Sequence, residues 1–305
     1  MSPSKLGCAA RIFKKTLLKW IEEDSFEHAS ALSFATLFSM APTLVIIIGL
    51  CAIFFGQEAV EGRIFFEIRN LVGAEGADAI QRILRQAAEG RKATATAFGI
   101  VLTVAGASAA FSQMKSALNR IWDVRPEPAV NDLLYFLRTR LLSLAMVLVI
   151  GFLLLVSLAV SASLAAFGGA IAAYASIPEW ALSAFNALLS VAVVTVLFAM
   201  IFKVLPDVQL RWREVFLGAL FTSILFSAGK GLIGMYIGKS GVTSVFGAAG
   251  SLVIVMLWVY YSSLILFLGA AFIRVYLEER GHRVWPAPHT VFVREETYLP
   301  DRPAL

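Results

Sequence analysis

Lys230 is the residue whose chemistry is hardest to place in this chain. It interrupts an otherwise uncharged stretch, Val215 to Gly238, leaving apolar blocks of 15 and 8 residues on either side. It lies 16 residues beyond Glu214, about 24 Å along a helix and so still inside a ~30 Å hydrocarbon core. A lysine there costs roughly 2.5–3.5 kcal/mol at a helix centre and less toward the ends. It must therefore be paired, face water, or snorkel its ammonium to the headgroups. Snorkelling and a polar cavity or anion contact both remain open. The surrounding Gly229-Lys230-Gly231-Leu232-Ile233-Gly234 spells GxGxxG, but that fingerprint holds a dinucleotide only between a strand and a helix amino terminus. Inside an apolar helix the same glycines, with Gly234 and Gly238 spaced as GxxxG, read as a helix contact surface. A Walker A loop is excluded because Gly231 follows the lysine.

Hydroxyls supply the other polarity at this depth. Ser30, Ser33, Thr36 and Ser39 recur every three residues, spread over about half of a helix circumference. They could line a wet cavity, or bond back to their own helix carbonyls. Tyr260, Tyr261, Ser262 and Ser263 sit in the middle of another apolar run, where tyrosine hydroxyls need partners. Lys230, Ser33, Thr36, Tyr260 and Tyr261 are thus the candidate lining of a substrate path. Glu27 and His28 stand together at the start of the first apolar run, as a proton-handling pair or as an ordinary interfacial one.

Nothing reads as a catalytic or cofactor site. The chain has three histidines, His28, His282 and His289, and two cysteines, Cys8 and Cys51. Neither HxHxDH nor HExxH occurs, so metal-dependent nuclease chemistry lacks its ligands. The expectation is no enzyme, no metal and no cofactor.

The elements that must position these residues follow from composition. Of 305 residues, 59% are hydrophobic and 15% charged, with mean hydropathy +0.78, against roughly 25% charged in a soluble domain. The net charge of +5 is distributed between apolar blocks and forms no basic stripe interleaved with aromatics, so nucleic acid is not an expected partner. Membrane lipids are.

Runs of about 20 apolar residues predict an all-α, six-span membrane domain over 28–278. The spans lie near 29–56, 94–113, 141–167, 181–203, 214–238 and 247–275. Pro42 should kink the first. The second is rich in Ala, Gly, Ser and Thr and should lie inside the bundle. Gly247 and Gly250 at the start of the sixth should permit a close contact or a bend. Residues 1–27 should form an amphipathic helix on an anionic lipid surface, with Ile12, Phe13, Thr16, Leu17, Trp20 and Ile21 on one face. Residues 58–92 read as a helical hairpin outside the bilayer. The segment 279–305, proline-rich and of mixed charge from His282 onward, should be mostly unstructured.

Of the 26 Lys and Arg residues, 18 fall in the two termini and in the segments after spans two and four. The positive-inside rule then places both termini in the cytoplasm and the hairpin outside.

Four stretches together resemble one family, the YihY/BrkB family of bacterial inner-membrane proteins, some of which carry an old label of ribonuclease BN. They are LSFATLFSMAP (Leu32 to Pro42), ALNRIWDV (Ala117 to Val124), LPDVQLRWREVFLGAL (Leu205 to Leu220) and FGAAGSLVIVMLWVYYSSLILFLGAAF (Phe246 to Phe272). The resemblance implies a six-helix inner-membrane protein that transports a solute or handles envelope lipid, and it supplies no catalytic residues. Ala271 stands where members commonly have Glu, and Ala35 and Phe246 where Tyr is common. The expected role is moving or handling a small solute or lipid, with a water-filled cavity where the candidate residues meet. The alternative is a structural or envelope-assembly membrane protein with a dry core.

Overall fold

The computed structural model describes residues 3–38, 69, 77–78, 80–82, 96–127, 179–240, 250–288 and 290–293. The expected span at 141–167, most of the hairpin, and Pro42 and Gly247 lie outside them. The longer helices are α1 (Pro3–Glu22), α2 (25–38), α3 (Thr96–Ile121), α4 (Glu179–Val204), α5 (Trp212–Ser240) and α6 (Gly250–Glu279), with helical residues also at 69, 77–78 and 80–82. Four short strands accompany them, β1 (Val124–Pro126), β2 (Val208–Gln209), β3 (Trp285–Pro286) and β4 (Thr290–Phe292).

The packing is inverted relative to a soluble protein. On α5 the exposed residues are large and apolar, Phe216, Leu217, Leu220, Ile224, Leu232, Met235 and Tyr236, while the buried ones include Val215, Ala219, Thr222 and Ser223. Water does not tolerate such a continuous apolar face; acyl chains do, and small or hydroxylated residues then make the helix contacts. Two stretches among the described residues are long and apolar enough to cross a bilayer, Trp212–Tyr236 and Leu252–Glu279. Ser190–Val204 of α4 is a shorter apolar stretch.

The helices α4, α5 and α6 pack in sequence, and α6 also carries α1 and α3. Small residues set the close approaches. A Cβ on Gly269 would lie 1.9 Å from Thr222 Oγ1, and one on Gly218 would lie 2.0 Å from Ile273 Cγ1. The main core runs from Ala29 and Leu32 of α2 through Leu118 and Ile121 of α3 and Phe198 and Phe202 of α4 to Phe267, Ala270 and Ala271 of α6. Ala271 is fully buried. A second cluster, Ile233, Ile254, Val255 and Trp258, takes in Leu37 of α2 and Ile80 of the hairpin region.

Two local results differ from the sequence reading. The apolar residues of α1 do not share one environment. Thr16 is fully buried and the Trp20 indole donates to the Leu264 carbonyl of α6, 3.1 Å away, whereas Phe13 and Ile21 are 51% and 56% exposed. The expectation of an unstructured tail does not hold for Trp285–Pro286 and Thr290–Phe292. There β3 pairs antiparallel with β2 (Val208 opposite Pro286), and β4 with β1 (Val124 opposite Phe292). Two- and three-residue strands carry no alternating pattern to read. They exist because the ends of α3 and α4 offer backbone partners, such as Asp207 O accepting from Ala287 N at 2.8 Å and Asp123 O accepting from Val293 N at 2.7 Å.

Candidate functional site

Two polar regions lie along the described helices, one at their ends and one deeper in α5 and α6. The first gathers the carboxyl ends of α1, α3, α4 and α6 with the start of α5. Asp24 and Asp123 each follow a helix end with φ near +50°, a left-handed turn that Asp tolerates better than most residues. The turn aims both carboxylates at cations. Arg120 reaches Asp24 at 2.9 Å and Glu23 at 3.6 Å, and Lys19 reaches Glu23 at 2.5 Å and Asp123 at 3.7 Å. Arg274 of α6 holds Asp123 at 2.5 Å and Glu278 at 2.8 Å, and also donates to the Ile121 carbonyl. Lys15 pairs with Glu279, and that hydrogen bond holds the Glu279 carboxyl below its ordinary value. Burial, and secondarily the Arg120 charge, lower the His28 imidazole despite the neighbouring Glu27, Asp24 and Glu23. His28 is thus favoured in the neutral form, which suits an interfacial residue.

A buried triad adjoins these pairs. Lys115 Nζ lies 3.0 Å from Asp207 Oδ2. The Asn119 amide donates to the same oxygen at 2.9 Å while its own oxygen accepts from Asp207 N at 2.8 Å. Lys115 and Asn119 are 8% and 6% exposed. On α5, Glu214 accepts from Arg211 N at 3.0 Å, capping the helix, and its other oxygen meets His282 Nδ1 at 3.3 Å. The stretch 117–124 is therefore an anchor: its polar residues tie three helices together, and Ala117, Leu118, Ile121 and Trp122 are buried between them.

The second region holds residues singled out in the sequence. Gly229 is buried beneath the Tyr261 ring, whose hydroxyl would lie 1.1 Å from any Cβ added there. That hydroxyl donates to the Leu225 carbonyl at 3.4 Å, a long bond. Lys230, half-buried, is the next residue. Trp258 sits one turn from Tyr261, its ring edge-on to the tyrosine with centroids 6.2 Å apart. Its Nε1 is one of two buried side-chain polar atoms without a hydrogen-bond partner among the described residues, the other being Ser25 Oγ. Leu37 packs on this cluster, which brings the carboxyl end of the described part of α2, next to Thr36, to the same place. Lys230 follows the glycine that Tyr261 covers, and Tyr261 and Leu37, the residue after Thr36, thus pack on the same cluster.

Other candidates do not. Tyr260 faces the main core. Ser33 donates to the Ser30 carbonyl at 2.8 Å and Ser30 to Phe26 at 2.9 Å, so these hydroxyls bond back to their own helix. Gly231 has open space around it, while Gly234 is half-buried and Gly250 buried; Gly238 lies in the last turns of α5. One hydroxyl contact across helices is Thr195 with Ser223, 2.7 Å apart. Sequence reasoning missed the triad, because span two was ended before Lys115 and its charge was assigned to a loop.

Exposed apolar helix faces, buried hydroxyls and charged residues gathered at helix ends define a helical membrane protein. The comparisons agree. A sequence model of the family described as Virulence factor BrkB matches residues 16–291, and the chain belongs to that family. A UPF0761 membrane protein of Ralstonia nicotianae is 30% identical over 267 residues, covering 85% of this chain and 57% of its own. Those of Azotobacter vinelandii and Pseudomonas aeruginosa are 28% and 27% identical, over 88% and 84% of this chain and 64% and 60% of theirs. The chain thus spans less than two thirds of the length of these relatives. No solved structure matches.

Proposed function

We propose that this protein is a six-span protein of the bacterial inner membrane, both termini cytoplasmic, that moves or handles a small solute or lipid without catalysing a covalent reaction. The observation that carries the reading is the unpartnered Trp258 Nε1 beside Tyr261, whose hydroxyl sits over Gly229, the residue before half-buried Lys230, at the α5–α6 contact. A buried indole donor without a hydrogen-bond partner among the described residues is costly to keep for packing alone, and a half-buried lysine stands on the neighbouring helix. Together they suit a polar or anionic group held away from bulk water. Tyr261 lies over Gly229, so a larger residue at 229 would displace its ring.

Native mass spectrometry of the gently purified full chain tests this. The wild type should carry a reproducible small molecule or lipid, Lys230→Met should fold and lose it, and Lys230→Arg should keep part of it. Equal retention by the methionine variant would leave Lys230 as an interfacial anchor and favour a purely structural bundle.

A further inference from the structure

Helix α1 has three faces with different surroundings. One is used by the protein: Thr16 and Glu23 are buried, Trp20 bonds to α6, and Lys19 reaches Asp123. A second is apolar and uncovered. Phe13 and Ile21 are 51% and 56% exposed, with half-buried Leu17 between them at helical spacing, and Phe26 beyond the turn is 45% exposed. The third carries Arg11 and Lys14, both exposed, and the helix as a whole holds five basic residues and one acidic residue. At 100° per residue, 13, 17 and 21 form one stripe with Lys14 flanking it on the side away from α6; Arg11 lies further round, next to Lys15, where its charge also acts on Glu279.

We infer that this outer side of α1 is a docking surface for an acidic phospholipid leaflet, with acyl chains against Phe13, Leu17 and Ile21 and phosphate headgroups on Arg11 and Lys14. The inference is independent of the reading of Lys230. The occupant follows from charge and position. A stripe of large apolar residues beside basic ones is the pattern of an interfacial helix. The α1 contact on α6 sets it beside the end of a helix long enough to span a bilayer. Lys15 is not part of this surface, because it pairs with Glu279. Through that pair and Trp20, a leaflet that seats α1 also bears on α6.

The test uses the full chain, with Cys8 and Cys51 replaced by Ser, in phosphatidylcholine vesicles with or without phosphatidylglycerol. A fluorophore on Phe13→Cys should be quenched by brominated acyl chains, and one on Lys15→Cys should not. In native mass spectrometry the Arg11→Gln, Lys14→Gln double variant should retain phosphatidylglycerol about thirtyfold less well than the parent, at roughly 1 kcal/mol for each of the two basic residues near a charged surface. Phosphatidylcholine retention should not change. Equal quenching at 13 and 15, or phosphatidylglycerol retention unaffected by the double variant, overturns the inference. Quenching at 13 by labels on other copies, abolished on dilution into excess lipid, makes the stripe an interface between copies and overturns it as well.

Discussion

Asp207 ties three segments together, since its side chain holds Lys115 and Asn119 while its backbone carbonyl accepts from Ala287 of the tail. Removing one member of a buried ion pair costs about 3–5 kcal/mol, because the other charge stays buried. Asp207→Ala should therefore lower the unfolding midpoint in detergent far more than Arg120→Ala, whose partners are exposed at one end and worth ~0.2–1 kcal/mol. His28 gives a pH signature. Its folded value lies below the unfolded 6.5, so the unfolded chain takes up a proton that the folded chain resists. Stability is full above pH ~6.5 and falls as pH drops below it. His28→Gln should flatten the midpoint between pH 7 and 5.5. The Glu279 carboxyl is also depressed, by Lys15. Its contribution is present above the ordinary carboxylate value and is lost as pH falls through the lower folded value, so Lys15→Met should remove an acid-side slope distinct from that of His28.

At the scale of elements, small residues decide where helices touch. Gly269→Ala would set a methyl against Thr222 and the Phe202 ring, and overpacking of this kind costs ~1–3 kcal/mol. Thr222→Ala in the same chain should recover part of the loss. Gly231→Ala meets nothing, and replacing a mid-helix glycine should raise stability by ~0.5 kcal/mol. Thermal midpoints of the three variants check both statements. The apolar runs of α5 and α6 were legible in the sequence because bilayer depth imposes length and composition directly on a helix. The contact partners were not. GxGxxG marked a contact surface, yet only Gly229 of Gly229 and Gly231 meets a neighbour, since helix rotation is set by tertiary packing. The strands of the tail were illegible because their pairing is supplied wholly by distant segments. Lys230 and Tyr261 could be named as polar residues at depth, but Trp258 could not, as an indole in an apolar run reads as packing until its N–H is seen unpartnered.

For the whole molecule, ion pairs and strands gather Lys19, Arg120, Asp207, Glu214, Arg274 and His282 at one end. Ile80 of the expected hairpin packs at the other, on Ile233, Ile254 and Trp258. In the proposed topology the joined segments lie on one side, the cytoplasmic one that the basic-residue distribution favours, and this sidedness is the central claim. Cysteine accessibility tests it most directly. With Cys8 and Cys51 replaced by Ser, single cysteines at exposed Arg125, Arg213 and Arg283 should resist a membrane-impermeant maleimide in intact spheroplasts and react after lysis, while one at Glu75 should react before lysis. Labelling of any of the first three alongside Glu75 in intact spheroplasts, or of Glu75 only after lysis, would contradict it.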